Sequence, residues 1–325
     1  MGTYFNQKDL NVLRALRTIL VGIEGRPAGE RAPQYWGSPR DIELYDQVFA
    51  ARIGWKWTAA LDEVEKRAGL PTPRTILDWG AGTGIASRVL LRRIEAPERV
   101  VLFDRDEAVR EFAAGLLRAE FPAVEVVATG DAPEEPFDAV LASHVLDELE
   151  DDGVASLVST MNRAEHVLWV EPGSKLTSRR LSAVRASLLD EFDVVAPCTH
   201  RAACGMLAEG RERDWCHLFA KPPAEVHTTG TWSEIHRELR IDLRSLPYSF
   251  LALRRAAVDH PSASRLLGRP RFQKGRVLLD LCGQGGVETA QMLQRNDKAF
   301  FKSLKDTAGE AVLMEREGDA IRRVL

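Results

Sequence analysis

Between Arg74 and Val195 the chain alternates short β-branched runs with amphipathic stretches, and few folds accommodate that alternation. The runs are Thr75–Trp79, Arg99–Asp104, Val124–Ala128, Phe137–Ala142, His166–Glu171 and Phe192–Ala196. Strands separated by helix-length segments cannot pair as hairpins. They form a mostly parallel sheet whose right-handed crossovers cover both faces, so an α/β fold is expected.

The flanks read differently. The spacing predicts one helix over Asp41–Trp57 and a second over Thr58–Ala68, closed by Gly69 and the helix-stopping Pro71. After about Asp214 the alternation lapses, leaving shorter strand-like runs such as Tyr248–Leu253 and Arg276–Leu281. At 325 residues, with 45% hydrophobic and 28% charged side chains, the chain can bury a full core. That excludes disorder and disulfide-scaffold readings. The N-terminal MGTYFNQKDL has neither the basic flank and apolar core of a signal peptide nor the Ser or Thr at Asn6 that myristoylation needs. No apolar run approaches the roughly 20 residues that span a bilayer. A cytoplasmic protein without a membrane partner is expected.

The net charge of −4 conceals an asymmetry. Val101 to Asp151 holds 14 Asp/Glu against 3 Arg, a balance of −11. Leu251 to Asp280 holds 7 Arg/Lys against 2 Asp, a balance of +5. An anionic partner is expected near the second segment, whose bland alternative is a solvated basic surface.

The sharpest motif is Leu77-Asp78-Trp79-Gly80-Ala81-Gly82-Thr83-Gly84, which follows the first strand and opens a helix over Ile85–Ile94. Glycines there let the backbone turn tightly and approach a ligand with no Cβ in the way. Asp104 ends the second strand 20 residues beyond Gly84, where an acidic side chain can accept both hydroxyls of an adenosine ribose. The order G-A-G-T-G preceded by Asp78 differs from the dinucleotide fingerprint and resembles the first motif of class I S-adenosylmethionine-dependent methyltransferases.

That resemblance, followed strand by strand through residues 74–173, implies a Rossmann-like sheet binding S-adenosyl-L-methionine. Gly80, Ala81, Gly82 and Gly84 would pack against the methionine part, Asp78 would lie near its amino group, and Asp104 would hold the ribose. Asp131 would lie near the adenine, and Ser143 and His144 would end the fourth strand beside the methyl donor. Asp131 also suits a turn, and His144 a satisfied core or edge histidine. The fourth strand lacks the Asn/Asp-Pro-Pro-Tyr motif that grips an exocyclic base amine, so amino methylation of a base has no positive support. No catalytic residue is assigned.

All four cysteines follow the glycine loop: Cys198, Cys204, Cys216 and Cys282, spaced C-x5-C-x11-C-x65-C. In a reducing compartment four thiols suggest a metal or cluster site, zinc or iron–sulfur, with four separate buried cysteines as the alternative.

Val170-Glu171-Pro172-Gly173-Ser174, Ser178-Arg179-Arg180-Leu181 with Arg185, Pro197-Cys198-Thr199-His200, Asp214-Trp215-Cys216-His217 and Lys274–Cys282 with Gly285-Gly286 follow one another as in a particular family. Over roughly residues 35–315 the chain resembles the methyltransferase-like proteins of the ribosomal small subunit, whose mitochondrial members are assembly factors. The resemblance implies a [4Fe–4S] cluster on Cys198, Cys204, Cys216 and Cys282, with zinc as the alternative metal. It also implies small-subunit ribosomal RNA, or the subunit itself, as partner. Thr199 and Gly205 stand where the family has prolines. The expected organisation is a helical region at 1–70, a Rossmann-like domain at 71–255 with its cysteine-rich segment at 196–218, and a small basic β-rich extension at 256–325. Three functions fit: a methyltransferase-like protein acting on or bound to ribosomal RNA, a non-catalytic assembly factor, and a small-molecule methyltransferase. The oligomeric state is left open.

Overall fold

A computed structural model describes residues 4–24, 36–244, 246–306, 312–317 and 320–324. Parts of the expected N- and C-terminal regions lie outside these residues.

The chain begins with helix α1 (Gln7–Glu24), then α2 (Pro39–Tyr45) and α3 (Ala51–Ala68), joined by a turn of π-helix over Asp46–Ala50. Ser38 caps α2 by accepting the Asp41 N–H, and Pro39 occupies the first turn, where its missing N–H costs nothing. The helical break therefore falls at Asp46–Ala50 and not at Thr58, as the sequence predicts. Thr58 donates its hydroxyl to the Gly54 carbonyl, which keeps it inside the helix.

The alternating block forms β1 (Thr75–Trp79), α4 (Ile85–Leu91), β2 (Arg99–Phe103), α5 (Glu107–Glu120), β3 (Glu125–Thr129), β4 (Ala139–Ser143), α6 (Asp151–Met161), β5 (His166–Pro172), α7 (Lys175–Leu188) and β6 (Asp193–Ala196). There follow β7 (Leu218–Ala220), α8 (Gly230–Leu239) and β8 (Leu246–Arg254). The strand order is β3-β2-β1-β4-β5-β8-β6, with β7 also pairing to β8. The pairs among β1 to β5 are parallel, and β8 enters antiparallel between β5 and β6. This is the Rossmann-like, mostly parallel α/β sheet expected from the sequence. Successive residues face opposite layers: Ile76 joins the core with α3, α4 and α5, while Leu77 joins the one with α6 and α7. Burial on both faces is why these strands read as continuous apolar runs.

The last part of the chain builds a separate antiparallel sheet from β9 (Ser264–Gln273), β10 (Arg276–Gly283), β11 (Gly286–Leu293), β12 (Leu313–Glu317) and β13 (Ala320–Arg323), ordered β11-β10-β9-β12-β13. A short helix, α9 (Lys298–Ser303), covers its apolar face through Phe301. Among the described residues no helix is long and apolar enough to cross a membrane.

Candidate functional site

The glycine loop leaves β1 and doubles back across the end of β2. The Gly80 and Ala81 N–H groups both donate to the Phe103 carbonyl, at 2.8 and 2.9 Å, which fixes the loop against that strand. Gly80, Gly82 and Gly84 all have positive φ, between 53° and 73°. Gly82 differs from the other two because a Cβ there would meet nothing within 4 Å, whereas one at Gly80 would lie 2.6 Å from Val145 Cγ1. The space before Gly82 is therefore open, while Gly80 is glycine for packing. The buried Ala81 lies between them.

Two carboxylates flank this loop. Asp104 accepts the Gly82 N–H with Oδ2 and the Asp106 N–H with Oδ1, both at 2.9 Å, so the two oxygens are oriented by backbone. Its side chain remains half-buried, and burial pushes its carboxyl up. Asp78 is fully buried; its Oδ2 accepts from the Ser87 hydroxyl at 2.7 Å, while its Oδ1 has no partner. Burial pushes Asp78 up to about 7, against the Ser87 hydrogen bonds that favour its charged form. A buried oxygen without a donor is costly, and a cationic ligand group would satisfy it.

Ser143 and His144 end β4 under helix α3. Trp57 Nε1 donates to Ser143 Oγ at 2.9 Å, and Lys56 Nζ lies 3.4 Å from His144 Nε2, which must accept because an ammonium only donates. His144 adopts φ 55°, a conformation few non-glycine residues take, and burial together with Lys56 and Arg52 holds its ring neutral. The ring borders a cavity of about 400 Å³ whose walls include Tyr45, Phe49, Lys56, Asp147 and Ser174. The π-turn thus places an aromatic wall over the ends of β4 and β5. Asp131 stands apart: it is exposed at the end of β3, where its backbone exchanges hydrogen bonds with the Thr129 hydroxyl as in a turn. The structure therefore gathers Asp78, Gly80, Ala81, Gly82, Gly84 and Asp104 at one loop, sets Ser143 and His144 beside the cavity, and leaves Asp131 on the rim.

Long-range partners of this site carry no local signal. Glu171 accepts the Val145 and Leu146 N–H groups and Trp169 Nε1 with a single oxygen, shaping the loop after β4, and burial pushes its carboxyl up to about 8. Lys56 and Trp57 reach the site across more than eighty residues of sequence.

The four cysteines lie where the loop after β6 meets the C-terminal sheet. Cys198, Cys204 and Cys216 lie on the loop between β6 and β7, and Cys282 on β10; Cys204 and Cys216 pack with Cys282, Met206 and Leu267 in one cluster. Arginines pin this loop by its carbonyls. Arg179 on α7 donates to Met206, Arg211 and Asp214, Arg185 to His200 and Ala202, and Arg67 to Cys198. Gly205 packs so closely on β11 that a Cβ would lie 2.9 Å from the Val287 nitrogen, so glycine there serves the contact between loop and sheet. His200 Nε2 lies 3.7 Å from Cys282 Sγ, and His217 stacks on Trp215. Burial raises the Cys216 thiol and pushes Cys282 up to about 12. Among the described residues no group of three or more His, Cys, Asp or Glu side chains stands in metal-holding geometry, so the expected four-thiolate centre is not preformed.

The basic segment is largely consumed internally. Arg254 and Arg255 bind backbone carbonyls, Arg255 also pairs with Glu191, Arg265 is buried, and Arg271 pairs with Asp280. Arg269, Lys274 and Arg276 remain on the exposed edge of the β9–β10 hairpin. The positive balance counted along the sequence thus overstates what a partner meets.

Solved structures similar to this chain include methyltransferases. One is the magnesium protoporphyrin IX methyltransferase of Synechocystis PCC 6803 with bound S-adenosylmethionine (9% identity, 79% of this chain and 100% of that one covered, TM-score 0.40). Another is an S-adenosylmethionine-dependent methyltransferase from Aquifex aeolicus (16%, 49% and 90%, TM-score 0.37). A third is a mitomycin 7-O-methyltransferase (17%, 75% and 68%, TM-score 0.41). No curated protein matches the chain. At the level of sequence, residues 49–310 match the family described as mitochondrial small ribosomal subunit Rsm22, a span that takes in helix α3, the glycine loop, all four cysteines and the β9–β10 hairpin. The chain belongs to the Rsm22 family.

Proposed function

We propose that this protein is an S-adenosyl-L-methionine-binding, methyltransferase-like factor of the small ribosomal subunit that engages ribosomal RNA. The observation that carries the reading is the open cradle before Gly82, bounded by the backbone-oriented carboxylate of Asp104 and the unpartnered Oδ1 of Asp78. These groups fit the cofactor's chemistry: Asp104 would accept from a diol, Asp78 would hold an ammonium, and Asp131 would border the adenine. The bound cofactor supplies an activated sulfonium methyl. The chain's own residues then need only orient it, exclude water through Tyr45 and Phe49, and offer the neutral His144 beside the acceptor cavity.

The cysteine loop supports a second component, a [4Fe–4S] cluster on Cys198, Cys204, Cys216 and Cys282, with zinc as the alternative. The donor set is soft and complete, and a bound cation would oppose the burial that raises the Cys216 and Cys282 thiols. The geometry would have to close on the metal.

One observation favours a non-catalytic assembly role over turnover. Ser143 and His144, which the resemblance puts beside the methyl donor, are both engaged by helix α3. The family is described as mitochondrial, and cell fractionation tests that location for this chain. The deciding experiment crosslinks the protein to ribosomal subunits and assays labelled-methyl transfer on the captured RNA. Small-subunit RNA that acquires label identifies an enzyme, and captured but unlabelled RNA identifies an assembly factor. Absence of small-subunit RNA overturns the reading.

A further inference from the structure

The side chain least explained by the fold is Arg265. It is 2% exposed, yet it carries a permanent charge into the contact between the cysteine loop and the C-terminal sheet. On β9 it stands directly opposite Cys282 of β10, and directly opposed residues of an antiparallel pair share a face. Its Nη2 donates to Cys216 Sγ at 2.7 Å, and its Nε is buried without a partner. Among the described residues no carboxylate forms an ion pair with it, whereas the nearby Arg67 is paired with Glu63 at 2.6 Å. A buried guanidinium with no carboxylate paired to it is a charge without a counter-charge, which folded proteins rarely tolerate.

We infer that Arg265 is the built-in counter-cation of an anionic four-thiolate centre, a positioning residue that couples metal loading to docking of the C-terminal sheet. The inference rests on the metal-centre reading above. Four thiolates around either a zinc ion or an oxidised [4Fe–4S] core leave a dianion, and that is the charge the site otherwise lacks. The loop reinforces the same sign. Arg179 and Arg185 spend their donors on its carbonyls and bring two further cations beside the thiols. Arg265 then gives β9 a bond to the centre by charge, while Cys282 gives β10 a bond by ligation, and both strands of the hairpin are held at once.

The test purifies the full-length chain anaerobically alongside Arg265→Met and Arg265→Lys. It measures metal and sulfide content, the rate of metal loss to a chelator, and the midpoint potential of any iron centre. Arg265→Met should lose metal about tenfold to a hundredfold faster than the parent, the usual effect of removing a group that supports a metal's ligands. Its iron centre should also become harder to reduce, since a neighbouring positive charge has gone. Arg265→Lys, which keeps the charge, should restore most of both properties. If the centre holds zinc, which has no redox step, the release rates carry the comparison. Should Arg265→Met fail to fold, Arg265→Gln removes the charge while keeping a donor. Unchanged release and potential in a folded, charge-free variant overturn the role of Arg265 but leave the centre standing. A parent chain that holds no metal overturns both.

Discussion

Asp104 has each carboxylate oxygen aimed by one backbone N–H, and an ionised carboxylate has lone pairs to spare for two hydroxyls. Asp104→Ala should therefore weaken S-adenosylmethionine binding by about 1.5–3 kcal/mol, roughly tenfold to a hundredfold, in calorimetry. Unchanged affinity would mean that Asp104 only shapes the turn. Asp78 makes a separate prediction about pH. Burial pushes its carboxyl up to about 7 in the empty protein, and an ammonium ligand would pull that value down. Its contribution to affinity is complete above about 7 and fades as pH falls below it, with a proton released on binding in the lower range. Asp78→Asn should flatten this profile, and a profile that stays the same assigns the pH dependence elsewhere.

The glycine loop, as an element, can be tested by contrast within itself. Gly82→Ala places a side chain into open space at a positive φ, so the fold should lose about 1–2 kcal/mol while the ligand loses its closest approach. Gly80→Ala would instead drive its Cβ into Val145, and its main effect should be on the melting temperature. Equal binding by the parent and a well-folded Gly82→Ala would reduce the loop to a connection. This loop and strands β1 to β6 were legible in the sequence because they are local: a glycine order, an acidic residue at a set distance, and apolar runs that two-sided burial requires. Residues 246–254 are also strand-like in sequence, but nothing nearby says that they cross antiparallel between β5 and β6, since that depends on partners far away in the chain, such as His166 opposite Arg254 and Asp193 opposite Arg254. The helix break fell at Asp46–Ala50 because its cause is packing: Asp46 pairs with Arg88 of α4, and Tyr45 and Phe49 turn inward. Lys56 and Arg265 were invisible as site residues for the same reason.

At the scale of the whole molecule, the acidic and basic halves of the sequence do not become acidic and basic halves of the surface. Four of the seven cations between 251 and 280 are held by carbonyls, by carboxylates or in the thiol cluster. The prediction for RNA therefore narrows to the hairpin edge. Replacing Arg269 and Lys274 with neutral residues should weaken binding across sequences and lower the salt slope by about one for each cation, while Arg271→Ala, already paired to Asp280, should change it little. Equal slopes in all three proteins would return the hairpin to a solvated surface.

The position of β8 has a consequence for how the molecule is made. Strands β6 and β7 find their sheet partner only in β8, so the sheet stops at β5 until residue 254 has left the ribosome. A nascent chain translated from its N-terminus must carry Cys198, Cys204 and Cys216 on a loop whose flanking strands are still unpaired through that interval, with Cys282 still to come. Their order of synthesis keeps the four thiols from meeting until the sheet is translated, and leaves the unfinished edge of β5 as an open strand edge in the meantime.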